Sequence, residues 1–519
     1  MKRAPSLSGS SRSASIVTAG RFSVQKIDRP NVLLITVDHW PAHLLGVAGH
    51  PVIQTPTLDE LARNGVRFAR AYSECPVCIP ARRTLMTGTT PRTHGDRTFQ
   101  AELPMPRLPT LAQTFRNAGY QAYAVGKLHV FPQRDRIGFD DVLLDEEGRT
   151  QWGVVDDYEL FLGDRGHAGE QYAHGMSNNQ YVSRPWHLPE ELHRTNWAAA
   201  QAERFIRRRD PTRPSLWYLG FAHPHPPLTP PSSYLDLYRS VKIDEPFVGE
   251  WARDPQLLPY ALGRNHEYAR HLSEAVRIEA RRAFYASCTH IDHQIRRVIG
   301  TLREEGILHE TVIAFTSDHG DMLGNHGLWA KRCFFEGAAG VPMILCGTES
   351  VGSGDRSRVP AGTTDDRLIG LADLMPTLLD LCGIEIPPTV EGLSMTDDGR
   401  REYLYGEQDE GVTASRMIVT GGYKLIYFAT GNRRLLFDLG SDPHELCDLS
   451  SDPAHAEILS ELTALLLREL HGRDLEWVKD GELIGLPGRR FEPSPSQGLF
   501  GQRGSHWPPP PASGISVGA

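Results

Sequence analysis

Cys75 and Cys78 stand in the segment Cys75-Pro-Val-Cys78-Ile-Pro80-Ala-Arg82-Arg-Thr-Leu-Met-Thr-Gly88. Pro80 suits the first turn of a helix and Gly88 suits its end, so Cys78 is expected at or just before a helix N-terminus. Free backbone N–H groups and the helix dipole favour a negatively charged group there. Arg82, one turn on, adds a fixed positive charge on a neighbouring face. A Cys-x-x-Cys pair is also the spacing of half a zinc site or of a redox motif. A second cysteine pair is missing, and Pro76-Val77 is not flanked by a thioredoxin-like pattern, which counts against both. Two buried cysteines near a turn is the plainer alternative.

Carboxylates and cations recur at the ends of apolar runs. Asp38 follows Asn31–Val37, and Asp318-His319-Gly320-Asp321 follows Thr311–Thr316. Either aspartate alone reads as a turn or cap residue. Both at the carboxyl ends of buried strands point to one crevice. Lys127 and His129 follow the run Gln121–Val125 and should point the same way. His225, in Pro224-His225-Pro226-Pro227, follows Ser215–Ala222, with His223 as a competitor for the same role. Lys331 lies in Leu328-Trp329-Ala330-Lys331, ahead of Phe334-Phe335-Glu336-Gly337. His290 and His293 lie inside a long helical segment, where packing is the simpler account. His187 and His193, with Trp186 and Trp197, precede a helix and could line a pocket.

Cys78-Ile-Pro80-Ala-Arg82, followed by Leu85, Thr87 and Gly88, resembles the signature of the sulfatase family, in which the cysteine is oxidised to formylglycine. The resemblance covers roughly residues 29–450, with several motifs in the family's order. It implies a sulfuric ester hydrolase that cleaves sulfate monoesters, arylsulfatase-like, with formylglycine at position 78 and one divalent metal ion. By position the ligands would be Asp38, His39, Asp318 and His319, joined by an oxygen of modified Cys78. Most members carry Asp or Gln where His39 stands, and often Asn where His319 stands. Oxygen-only sites suit calcium or magnesium, whereas imidazole favours manganese or zinc. Calcium or manganese is the expectation, with magnesium and zinc as further candidates; His39 could instead hydrogen-bond to a ligand.

The resemblance also assigns the cations. Lys127 and His129 would contact the nucleophile and the sulfate oxygens, and this pair favours sulfate over phosphonate esters. Arg82 and Lys331 would hold the sulfate, and His225, which resembles the family's His-x-Pro element, or Lys331 would protonate the leaving alcohol. Gly340 stands where many members have Arg before Val341-Pro342. The partners implied are a small-molecule sulfate ester and, during maturation, a formylglycine-generating enzyme. Two alternatives remain: a phosphonate monoester or phosphodiester hydrolase on the same scaffold, and a non-catalytic metal- or thiol-dependent binding protein with both cysteines intact.

These residues need a frame to hold them. Apolar runs alternate with helical periodicity, which predicts an α/β fold: a large, mostly parallel sheet with helices on both faces, alkaline phosphatase-like by the resemblance. Helices are expected at Glu267–Glu305 and Leu368–Leu381, among others. From about residue 395, short strands and one helix predict a small C-terminal antiparallel sheet. The divisions are a disordered extension at 1–28, a catalytic domain at 29–394, a small α+β subdomain at 395–480 and a low-complexity tail at 481–519. Pocket walls are expected from the loops at Asp96–Met105 and Leu144–His193.

Composition bounds the partners. The 519 residues carry a net charge of −9, which argues against nucleic acid. No run approaches a membrane span, and the first 30 residues lack the apolar stretch of a secretory signal. The expectation is a cytoplasmic protein that binds no membrane. The seven cysteines are odd in number and sparse, unlike a disulfide framework. A Pro-rich tail around Trp507 could reach a neighbouring subunit, so a homo-oligomer is allowed for.

Overall fold

The computed structural model describes residues 29–149, 154–177, 179–348 and 358–493; the extension at 1–28 and the tail from 494 lie outside that set. Successive side chains of a strand face opposite ways, so a continuous apolar run can serve two cores at once. In β1 (Asn31–Val37), Val32 and Leu34 enter one core while Leu33, Ile35 and Val37 enter the other. β1 sits inside an eight-stranded sheet. Its partners are β2 (Val66–Tyr72), β3 (Gln121–Gly126), β4 (Asp141–Leu144), β5 (Ser215–Gly220), β6 (Thr311–Ser317), β7 (Met343–Cys346) and β8 (Thr363–Gly370). The spatial order is β4-β3-β5-β1-β6-β7-β2-β8, and β7 alone runs against its neighbours.

Helices cover both faces. Of the main ones, α1 (Pro56–Arg63), α4 (Arg194–Arg207) and α5 (Glu274–Glu304) pack on one side, while α2 (Cys78–Thr87), α3 (Leu111–Asn117) and α6 (Leu374–Leu381) pack on the other. Two boundaries differ from expectation. The helix foreseen from Glu267 starts at Glu274, because Ser273 caps it by accepting the Val276 N–H. The helix foreseen from Leu368 starts at Leu374, because residues up to Gly370 belong to β8. That strand opens with Thr363-Thr364-Asp365-Asp366, whose polarity suits a sheet edge and hides it from a search for apolar runs.

The C-terminal part is a four-stranded antiparallel sheet ordered β12-β11-β10-β9, built from β9 (Tyr403–Gln408), β10 (Ser415–Thr420), β11 (Tyr423–Phe428) and β12 (Arg433–Asp438). Ile418, Leu425 and Leu436 pack under α7 (Ala456–Glu469), and Met417, Ile426 and Phe437 pack against Phe334 and Phe335 of the larger part. Described chain continues past residue 480: Glu482–Leu483 pairs with Val478–Lys479, and Leu486 pairs with Thr430.

Candidate active site

Four adjacent strands deliver the polar residues to one edge. Asp38 follows β1, Lys127 follows β3, His223 and His225 follow β5, and Asp318 and His319 follow β6. Parallel strands ending side by side make the crevice in which such folds hold ligands. The turn after β3 depends on Gly126, whose φ is +94° and whose added Cβ would lie 1.9 Å from the Gly220 carbonyl oxygen. Cys78 opens α2, capped by extended Val77, and is buried. His39 and His129 both sit at positive φ, 71° and 60°, an uncommon backbone state for residues with a Cβ.

The centre is tight. Cys78 Sγ lies 3.3 Å from His319 Nε2 and 3.9 Å from Asp38 Oδ1. His319 Nδ1 lies 2.9 Å from the Gly320 oxygen. A carbonyl can only accept, so Nδ1 carries the hydrogen and Nε2 turns its lone pair inward. His39 is oriented likewise: its Nδ1 lies 2.7 Å from Asp321 Oδ2, and its Nε2 faces Lys331 Nζ. Asp321 is fixed in turn by the N–H groups of Leu323 and Ala330 and by the Tyr181 hydroxyl.

One ligand atom each from Asp38, His39, Cys78 and His319 lies within 4.8 Å of the others. Asp318 Oδ1 stands 3.6 Å from His319 Nε2, while its Oδ2 takes the Arg82 Nε–H at 2.9 Å. Two imidazoles whose outer nitrogens are tied, beside two carboxylates, fit a divalent ion. The mixed oxygen and nitrogen donors suit manganese or zinc better than an oxygen-only ion.

Cations surround this centre. Arg82 Nη1 donates to the Lys127 carbonyl at 2.8 Å and to the Tyr218 hydroxyl at 2.9 Å. Lys127 Nζ bridges Asp38 and Glu147, the latter at 2.8 Å, and Glu147 also takes Arg149 Nε at 2.9 Å. His225 Nδ1 lies 2.6 Å from the Pro226 oxygen, and its ring is 4.4 Å from that of His39. Arg82 Nη2, His129 Nδ1 and His225 Nε2 are buried without a hydrogen-bond partner. Unsatisfied buried polar atoms gathered around one crevice mark places for a ligand.

The electrostatics follow from this packing. Burial would raise the Asp38 carboxyl, but Lys127 and the neighbouring histidines outweigh it and hold it well below the usual range. Burial and Asp38 raise the Cys78 thiol, yet Lys331, Lys127 and His319 leave it lowered overall. Burial pushes His225 down to about 3. Asp321 is pushed up to about 6, again by burial.

Of the residues singled out in the sequence, Asp38, His39, Cys78, Arg82, Lys127, His225, Asp318, His319 and Lys331 meet here. His129 stands within reach of the charges of Lys127, Arg149 and Glu147, with its ring 5.9 Å from that of Phe99. His290 is packed instead: its Nε2 lies 2.6 Å from Asn196 Oδ1 and its ring against His193. Two carboxylates were missed. Glu147 closes an Asp145-Glu146-Glu147 run that reads as solvated charge, yet all three are buried. Asp321 had a signal, since it lies three residues past Asp318 in the same strand-end turn.

A family model described as Sulfatase matches residues 30–384, and one described as N-sulphoglucosamine sulphohydrolase, C-terminal, matches residues 324–471. The chain is 35% identical over 479 residues to an arylsulfatase of Clostridium perfringens, with 88% of this chain and 98% of that one covered. It is 29% identical to a choline-sulfatase of Rhizobium meliloti, with 80% and 81% covered. Among solved structures, the phosphonate monoester hydrolase of Agrobacterium radiobacter superposes with a TM-score of 0.71 at 25% identity, covering 89% of this chain and 100% of that one.

Proposed function

The chain belongs to the sulfatase family and is a sulfatase hydrolase; from that premise we propose that it cleaves sulfate monoesters of aryl type through formylglycine at position 78 and one divalent ion. The observation that carries this reading is the setting of Cys78. It heads a helix between a carboxylate–imidazole donor set and the two ammonium groups of Lys127 and Lys331.

Asp38, His39, Asp318 and His319 would hold the ion. When bound, the ion would supply Lewis-acid polarisation, and formylglycine would supply an oxygen nucleophile that can release sulfate by returning to the aldehyde. The imidazoles of His39 and His319 favour manganese over calcium.

Arg82 offers to a sulfate oxygen its Nη2, which makes no hydrogen bond and stands 4.0 Å from Asp38 Oδ2. Lys127 Nζ spends two of its three N–H groups on Asp38 and Glu147 and keeps one for the substrate. Charge developing on sulfate oxygens is thus met by donors already in place. Lys331 Nζ faces His39 Nε2 in the ion-free site; once that nitrogen holds the ion, the ammonium is released toward the substrate and is the simplest proton source for the leaving alcohol. His225 carries its hydrogen on Nδ1, against the Pro226 carbonyl, and would need a second proton before Nε2 could donate. His129, with a free buried Nδ1, would take the proton whose loss returns the aldehyde.

A second reading, phosphonate monoester hydrolysis, draws on the likeness to the Agrobacterium radiobacter hydrolase. Steady-state hydrolysis of an aryl sulfate and an aryl phosphonate monoester separates the two. The protein would be co-produced with a formylglycine-generating enzyme, supplied with manganese, and its conversion at position 78 checked by peptide mass. A higher kcat/KM for the sulfate is expected. A higher value for the phosphonate would move the assignment to the second reading, and converted protein inactive on both would sink the pair.

A further inference from the structure

Just outside the sulfate site stands one aromatic wall with two arginines against it. Phe99 is half-buried, and its ring centroid lies 5.7 Å from the Arg149 Cζ and 5.6 Å from the Arg332 Cζ. Its cationic and imidazole neighbours are chain neighbours of the inner residues. His129 follows Lys127 by two positions, Arg149 follows Glu147 by two, and Arg332 follows Lys331 directly. The ring therefore stands against the chain segments that carry Lys127, Glu147 and Lys331.

The loop bearing Arg332 is bent to aim it there. Ala330 and Arg332 have φ of 63° and 74°, which turns Lys331 inward to His39 and Arg332 outward to Phe99. Asn265 pins this loop by donating to the Trp329 and Lys331 carbonyls, and the Arg332 N–H donates to the Pro76 carbonyl at 3.0 Å. Arg332 is partly buried, and although the charge of Asp409 acts on it from further off, among the described residues no carboxylate lies within ion-pair distance of it. A guanidinium withdrawn from water without an anion is unfavourable unless something supplies one. Nearby Tyr268 points the same way. Burial would raise its phenol, but Arg264, Arg332 and Lys331 outweigh burial and hold it below its usual value.

We propose that the leaving alcohol carries a second oxyanion, a carboxylate or a further sulfate, gripped by Arg332 and Arg149 beside the Phe99 ring. Arginine's planar fork matches either group in two parallel hydrogen bonds. The inference rests on the sulfate-ester reading, because it places the reacting sulfate at Cys78 and the second anion beside Phe99.

The test uses binding so that it does not depend on turnover. Full-length protein carrying Cys78 as the thiol, with manganese present, is titrated calorimetrically with phenyl sulfate and with its carboxylated and sulfonated derivatives. The carboxylated or sulfonated compound should bind about ten- to a hundredfold tighter than phenyl sulfate, the range expected of a charge-assisted hydrogen-bonded contact. Arg332→Ala and Arg332→Gln should each erase that ratio, while Arg332→Lys should keep part of it. The stronger of the two derivatives identifies the second anion. A ratio near one in the wild type, or one unchanged in both neutral variants that still melt cooperatively, would overturn the proposal. Failure of the sulfatase reading would show separately, as absent aryl sulfate hydrolysis by converted protein that still discriminates among these ligands.

Discussion

At the scale of single residues, the centre is organised by groups that never need to touch substrate. Asp321 is the clearest: it accepts from His39 Nδ1 and thereby turns His39 Nε2 inward. Partners that orient a ligating imidazole commonly set metal affinity by 10- to 100-fold. Asp321→Asn keeps the shape but weakens the acceptor, so manganese affinity should fall about tenfold or more. Titration of metal-free protein with manganese, followed by calorimetry, reads this directly. Unchanged affinity would mean that His39 is not a ligand and that its bond to Asp321 is only structural. Glu147 acts on the other side, pairing with both Lys127 and Arg149. Its own carboxyl is raised by burial, but His225, Lys127 and Arg149 outweigh that and keep it well below its usual range.

At the scale of elements, the segment carrying Phe99 is held by the small C-terminal sheet. Arg97 reaches Glu407 of β9 at 2.9 Å, Asp474 at 2.8 Å and Glu410 at 3.1 Å, and its carbonyl accepts the Asp409 N–H at 2.7 Å. Glu407 and Asp474 are buried, and each keeps one other cation, His471 and Arg416 respectively. Removing one partner from a buried ionic network costs about 3–5 kcal/mol. Arg97→Ala should therefore lower unfolding free energy by an amount near the bottom of that range, and raise KM for an aryl sulfate by loosening the Phe99 wall. Denaturant melts and steady-state kinetics on one preparation check both. An unchanged KM despite lost stability would detach this clamp from substrate binding.

At the scale of the whole molecule, the two sheets are joined through buried acids whose protonation responds to pH. Glu74, beyond the end of β2, accepts from the N–H groups of Leu371 and Ala372 ahead of α6, and its carbonyl accepts the Glu407 N–H from β9. Burial pushes its carboxyl up to about 7 from an ordinary 4.5, against those N–H groups. The folded chain thus holds this proton more tightly than the unfolded chain does. Its contribution to stability is fully present below pH 4.5 and is lost as pH rises through about 7. The amount at stake is of order 3 kcal/mol. Glu74→Gln mimics the protonated form, so the variant should gain on the wild type as unfolding is measured at pH 5, 6, 7 and 8. A difference that stays flat over that range would show Glu74 to be ionised throughout.

Local sequence determined what depends on near neighbours in the chain. Asn31–Val37 and Thr311–Ser317 are mostly apolar, which fits strands covered on both faces, and the aspartates that follow them emerge at the carboxyl end of the sheet. Pro80 and Gly88 bounded the helix that Cys78 begins. Tertiary structure alone decided the rest, because those residues take their meaning from partners far away in sequence. Thr363–Gly370 is polar at its start and becomes a strand by pairing with β2. Asp145, Glu146 and Glu147 look like surface charge until Arg194, the Leu128 and His129 N–H groups and Lys127 close around them. Phe99, Arg149 and Arg332 come from three loops, and only folding gathers the two arginines onto one ring.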